Sequence, residues 1–266
     1  MKGIDLTTRF EQFAPRSIAV EHDPIGIQIG DLNRDVHRVM TTLDVRPEVV
    51  DEAVANNVDF IFAHHPVMFR PAKNLDLTNP QNAMYAKIIQ NNITVYAAHT
   101  NLDDAEGGMN DWLAAAIGIN DVEGLVDLGS AEHPFAMGRI GNLSQPTTVA
   151  AFAERCKDIF NIHGLRLVSN HPDQSIQRIA ILGGDGGKFY PTALAKGADV
   201  YITGDVYYHT GHDMLSAGIN VIDPGHNIEK ICIPHLASLF RKWADENQWA
   251  ITVLESKVNT DPYTFI

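Results

Sequence analysis

Six side chains at the ends of three apolar runs have the types and spacing of metal ligands. Phe60-Ile61-Phe62-Ala63 stops at His64-His65-Pro66, Ile93 to Ala98 stops at His99-Thr100-Asn101-Leu102-Asp103, and Ile219 to Gly225 stops at His226-Asn227-Ile228-Glu229. Imidazole nitrogen mixed with carboxylate oxygen suits zinc, iron, manganese or cobalt, and argues against calcium, magnesium or an iron–sulfur cluster. On an extended backbone successive side chains point to opposite sides, and Pro66 biases His65 toward that conformation. The adjacent pair is therefore better placed to serve two ions than one. Asp103 is the natural bridge, because a carboxylate has two oxygens and can hold two cations. If a helix begins after Pro224, His226 and Glu229 stand at i,i+3 on one face. His99 is either an outer group that holds Asp103 or a water, or a general acid/base, since imidazole titrates near neutral pH.

These residues need strand ends to hold them, and the pattern around them supplies strands. It predicts strands over 38–44, 58–63 and 93–98, alternating with helices over 47–56, 80–90 and 108–116. Such alternation specifies an α/β fold with a helix-covered parallel sheet, whose ligands gather beyond the carboxyl ends of the strands. From about Gly118 to His133 the pattern lapses. Beyond it, strands are predicted over 135–143, 165–169, 176–182 and 199–203, and helices over 147–160, 191–196 and 207–217. A long amphipathic helix over 229–247, with Pro234 in or near its first turn, and a strand over 249–255 close the chain. The reading is of two α/β lobes with helices over mostly parallel or mixed sheets. Residues 1–125 plus 230–266 form the first, with His64, His65 and Asp103, and residues 126–229 form the second, ending in His226 and Glu229. The metal site is expected in the cleft between them.

The whole chain resembles the NIF3-like dinuclear-metal proteins, also described as GTP cyclohydrolase 1 type 2 homologues. The resemblance is carried by Phe60 to Pro66, by Ala98 to Asp103 with Gly107-Gly108 and Asn110, by Ala198 to Asp205 with His209, and by Gly225-His226 with Glu229. It implies two divalent ions held by His64, His65, Asp103, His226 and Glu229 and leaves His99 near them without making it a ligand; His99 is the candidate catalytic group on its own chemistry. It also implies hydrolysis of GTP, another nucleotide or a related ring through a water shared by the ions, and a toroidal homohexamer. Two rival readings are a metal-dependent phosphoesterase and a metal-binding regulatory protein without turnover. Where the family usually shows Trp-Asp-Asn-x-Gly-Leu, this chain has His22-Asp23-Pro24-Ile25-Gly26-Ile27, which removes the aromatic. Longer relatives carry an extra domain between their halves for which this chain has no room.

The 266 residues, 45% apolar and 20% charged, have the composition of an ordinary globular protein large enough for two lobes. A formal net charge of −13 disfavours nucleic acid and anionic membranes as partners; the small-molecule substrate is what the resemblance implies. The N-terminus lacks a secretory signal, no apolar stretch is long enough to cross a bilayer, and Cys156 and Cys232 show no disulfide framework; a cytoplasmic protein is expected. Gly183-Gly184-Asp185-Gly186-Gly187-Lys188 offers amides and a lysine to a phosphate, although Phe189 stands where a Walker loop requires Ser or Thr. Thr203, Gly204, Asp205 and His209 are expected to face substrate. Asp44 either lines the same cleft or caps the following helix. The other histidines, His133 among them, show no constellation.

Overall fold

The computed structural model describes residues 1–129 and 135–266, so His133 lies outside the described residues. Helix α1 (Gly3–Phe13) leads to β1 (Gly26–Ile29), β2 (Arg38–Thr42), α2 (Pro47–Ala55), β3 (Phe60–Ala63), α3 (Pro80–Gln90), β4 (Thr94–Ala97) and the short α4 (Thr100–Asp104). Then come α5 (Met109–Ile117), β5 (Ile119–Asp127), β6 (Ala136–Thr148), α6 (Val149–Phe160), β7 (Arg166–Val168) and β8 (Ser175–Ile181). They are followed by α7 (Tyr190–Ala195), β9 (Val200–Ile202), α8 (Tyr208–Ala217) and β10 (Asn220–Asp223). A 3-10 turn over His226–Ile231 enters α9 (Cys232–Asn247), and β11 (Thr252–Glu255) closes. The chain divides into two compact units, Met1–Leu102 with Cys232–Thr260, and Asp103–Ile231 with Asp261–Ile266.

The first unit holds one sheet in the order β1-β4-β3-β2-β11, parallel except for β1, which runs antiparallel along β4. Both faces of β3 are buried, which is why it reads as an unbroken apolar run. On one face the Phe62 ring lies 4.7 Å from Phe10 of α1, 4.8 Å from Phe240 of α9 and 5.3 Å from Tyr96. On the other, Ile61 shares a core with Val49 and Val50 of α2 and with Tyr85 and Ile88 of α3. Pro47 and Pro80 each open a helix, where a missing N–H costs nothing. Two elements were not anticipated. Helix α1 buries Leu6 and Phe10, one turn apart, and its Asp5 carboxylate accepts from the Lys2 amide at 2.7 Å. Strand β1 is only four residues between turns, too short for a period to register.

The second unit holds a mixed sheet in the order β5-β6-β8-β9-β10-β7, antiparallel from β5 to β8, parallel from β8 to β10, with β7 antiparallel at the far edge. Its core gathers Leu125, Ile140, Ala180, Leu182, Tyr201, Met214 and Val221. Strand β5 occupies part of the stretch where the pattern lapses. It is an edge strand with an irregular register between Asn120 and Glu123, beside Asp121 at φ 51°, and that irregularity destroys the alternation of apolar and polar residues. Thr148 caps α6 by accepting from the Ala151 amide at 3.2 Å. The last helix begins at Cys232 rather than Glu229, which puts Pro234 in its first turn and leaves His226–Ile231 as a tighter 3-10 segment.

Cys156 and Cys232 are free, buried thiols, and burial pushes Cys156 up to about 12, so it is chemically quiet. Among the described residues no helix is long and apolar enough to cross a membrane.

Candidate metal centre

In the first unit the chain leaves β3 at Ala63, and the next two amides still bond to the neighbouring strand's continuation, His64 N to Thr42 O at 3.1 Å and His65 N to Leu43 O at 2.9 Å. Alternation predicts that the two rings diverge. They do not: their centroids lie 4.8 Å apart, and His99, just beyond β4, meets them at 5.3 and 5.6 Å. Regular strand geometry has ended before the histidines, so the period-two rule no longer governs them. His64, His65 and His99 each offer a ligand atom within 4.8 Å of the others, a group able to hold a metal ion.

Each ring is oriented from behind through Nδ1. His64 Nδ1 donates to Ala98 O at 2.8 Å, His65 Nδ1 meets Asp44 Oδ1 at 2.7 Å, and His99 Nδ1 meets Asp23 Oδ1 at 2.9 Å. A carbonyl only accepts, so the His64 proton sits on Nδ1 and Nε2 is the basic nitrogen. Metal-binding imidazoles are held in this way, by a carboxylate or carbonyl that fixes tautomer and rotation. Asp44 also accepts from Thr260 Oγ1, and Asp23 accepts from both the amide and hydroxyl of Thr100. Losing such an outer carboxylate costs roughly 10–100-fold in metal affinity. Asp44→Ala should therefore weaken zinc binding by about that factor, read by competition with a chromophoric chelator.

Burial works to raise the carboxyls of Asp23 and Asp44, but hydrogen bonds from His99 and Thr100 to the first, and from His65 and Thr260 to the second, outweigh it and hold both below the ordinary 3.8. A depressed carboxyl stabilises the fold fully above its unfolded value and loses that contribution as pH falls through 3.8 toward the lower folded value. Asp23→Asn should flatten the acid limb of the stability profile of the metal-free protein between about pH 5 and 3, measured by urea unfolding.

The second unit begins at Asp103 and carries the other predicted ligands. His226 and Glu229 stand at i,i+3 in the 3-10 segment, where such positions eclipse one another, and His226 Nε2 is 3.2 Å from Glu229 Oε2. Asp205 Oδ2 lies 2.7 Å from His226 Nδ1. Asp205 is left-handed at φ 53°, a conformation non-glycine residues seldom adopt, and one that clusters at working sites. At Gly204 an added Cβ would sit 2.9 Å from His226 N, so only glycine fits beside that backbone.

The glycine turn after β8 has an internal explanation. Gly183 N donates to Asn110 Oδ1 at 3.0 Å, Gly186 N donates to Thr203 Oγ1 at 2.9 Å, and Tyr201 OH donates to Gly186 O at 2.8 Å. A Cβ at Gly183 would lie 2.8 Å from Glu229 Oε1, so the turn is the floor under that carboxylate. Thr203, Gly204 and Asp205 thus act on the turn and on His226. His209 is exposed, its ring beside that of Tyr208. The aspartates behind the rings were the least legible part: Asp44 was expected to line the cleft or cap the following helix, and Asp23 was not singled out.

A family model described as Duf34/NIF3 (NGG1p interacting factor 3) matches residues 1–262. The chain belongs to the Duf34/NIF3 family. A Streptococcus pneumoniae relative named GTP cyclohydrolase 1 type 2 homolog is 42% identical over 269 aligned positions, covering 100% of both chains. A Listeria innocua relative of the same name is 33% identical, and its alignment runs over 368 positions covering 99% of this chain and 98% of that one. That relative therefore carries extra length absent here. The solved structure of a Bacillus cereus protein related to NIF3 superposes with a TM-score of 0.97 at 30% identity, covering 100% of this chain and 99% of that chain. The family assignment and the two-sheet α/β fold agree with the sequence reading.

Proposed function

We propose that this NIF3 family member is a hydrolase built around two divalent ions, zinc, iron, manganese or cobalt. His64 and His65 would each hold one ion, Asp103 would serve both, and His226 and Glu229 would complete the set. One observation carries this reading: His64, His65 and His226 each have Nδ1 engaged by a carbonyl or carboxylate oxygen, which makes Nε2 the nitrogen each ring offers. The donor chemistry, imidazole with carboxylate, fits these metals. Bound there, the ions would acidify water and polarise the atom under attack. Five ligands over two ions, one bridging, leave coordination positions open, as catalytic sites do and structural sites do not.

His99 is the proton carrier. Asp23 fixes its Nδ1, so Nε2 can take a proton from the attacking water and return it to the leaving group. Gly183 and its turn keep the Glu229 carboxylate in place, and Asp205 does the same for His226. The names of the relatives support a small-molecule substrate, GTP or another nucleotide, and the family resemblance suggests that water would attack C8 and open the imidazole ring. The buried free thiols suit a reducing cytoplasm, and the resemblance to NIF3-like proteins suggests a toroidal hexamer. Light scattering that returned a stable monomer would end that last suggestion.

The test is a screen of metal-loaded protein against GTP, other nucleotides and phosphate esters. His65→Ala should abolish turnover with the fold intact by circular dichroism. His99→Ala should keep both ions and slow turnover by about 10²–10⁴-fold. Two ions bound with no turnover of any compound offered would make this a binding or regulatory protein instead.

A further inference from the structure

We infer that Asn110 is a positioning residue that sets the carboxylate of Asp103 against that of Glu229, an inference that rests on the ligand assignment above. Asn110 is buried in the first turn of α5. Its Nδ2 donates to Asp103 O at 3.0 Å, and its Oδ1 accepts from Gly183 N at 3.0 Å. The first bond fixes the backbone of one ligand. The second fixes the turn on which the other rests, since a Cβ at Gly183 would come within 2.8 Å of Glu229 Oε1 and one at Gly184 within 3.1 Å. One planar amide, with its donor and its acceptor both committed, therefore clamps two segments 73 residues apart.

No other side chain meets this demand at the same size. Aspartate is isosteric but, when ionised, offers only acceptors; it would keep the bond from Gly183 and lose the one to Asp103. Leucine has neither function. The segment is also held one turn further on, where the Arg139 guanidinium donates to Ala105 O at 3.2 Å and grips Asp111 with two 2.7 Å bonds. Arg139 secures the course of the chain from Ala105 to Asp111. Asn110 joins that chain by a hydrogen bond to the turn beneath Glu229. Both of these bonds end on backbone atoms, so the effect passes through backbone position, and a shift at either end alters the spacing the two carboxylates present to a pair of ions.

The experiment measures zinc stoichiometry and affinity by chelator competition on the full-length chain, with Co(II) spectra as a geometric readout. Asn110→Ala should weaken zinc binding at least tenfold and change the visible bands of the cobalt form. Its metal-free melting temperature should fall far less than that of a variant lacking Arg139. Asn110→Asp, which keeps size and one bond, should lie between wild type and alanine, and serves if the alanine variant does not fold. In an Asp103→Ala background, Asn110→Ala should add little, because its main target is gone. Wild-type zinc affinity and cobalt spectrum in Asn110→Ala, with Asp103→Ala defective, would overturn the positioning role and leave the ligand assignment standing. Wild-type binding in Asp103→Ala would overturn both.

Discussion

For the proposed two-ion centre, Asp103→Ala should cut the bound metal from two ions per chain to one or none, with the metal-free protein still folded. Each other proposed ligand serves a single ion, and its loss can be made good by water at one coordination position. A bridging carboxylate is different. It supplies a donor to both ions and places negative charge between two cations that otherwise repel across a few ångströms in a poorly screened site. Its loss should exceed the roughly 10–100-fold that an outer carboxylate contributes. Elemental analysis after gel filtration reads the result directly. Two tightly held ions in Asp103→Ala would remove Asp103 from the bridge. Asp103→Asn is the sharper variant, because it preserves shape while giving up the charge, and it should also lose the second ion.

Arg139→Leu should destabilise the protein by about 3 kcal/mol, near the lower end of what breaking a buried ion pair costs. Arg139 is almost wholly buried and makes five hydrogen bonds, two to Asp111 at 2.7 Å and three to the carbonyls of Ala136, Gly138 and Ala105. Leucine fills part of the space but leaves those carbonyls without their donor, and unsatisfied buried groups dominate such losses. Asp111 is 28% exposed, so water recovers part of its share, which keeps the expectation at the low end. The neighbouring pair Arg178–Glu123 supplies the contrast. Glu123 is 56% exposed, and Glu123→Ala should change stability by less than about 1 kcal/mol. Urea unfolding at neutral pH measures both. Equal effects would mean that solvent reaches the Arg139 network.

The central strands β3 and β4 of the first sheet were legible because they are buried on both faces. Phe60 to Ala63 and Thr94 to Ala97 stand out as short apolar runs, each ending where histidine begins, and the prolines at 47 and 80 mark helix starts. The i,i+3 relation of His226 and Glu229 was legible too, though in a 3-10 segment and not in the long helix expected there. What failed failed for local reasons. Strand β5 is irregular and polar at a sheet edge, so no period survives in it. The rule that turns adjacent side chains apart was applied to His64 and His65 one residue beyond the last regular strand position. Asp23, Asp44 and Asp205 could not be found by spacing, because each meets its histidine across 76, 21 and 21 residues through the fold. Asn110 was visible only as part of a motif. Its bond to Gly183, 73 residues away, exists only once the fold brings the turn after β8 to α5.

Anomalous scattering from crystals grown with zinc tests the two-ion centre most directly. Two peaks about 3.5–4 Å apart are expected, flanked by Nε2 of His64, His65 and His226 and by the carboxylates of Asp103 and Glu229, with Asp103 touching both. A single peak, or peaks that lie away from Asp103 and Glu229, would contradict it.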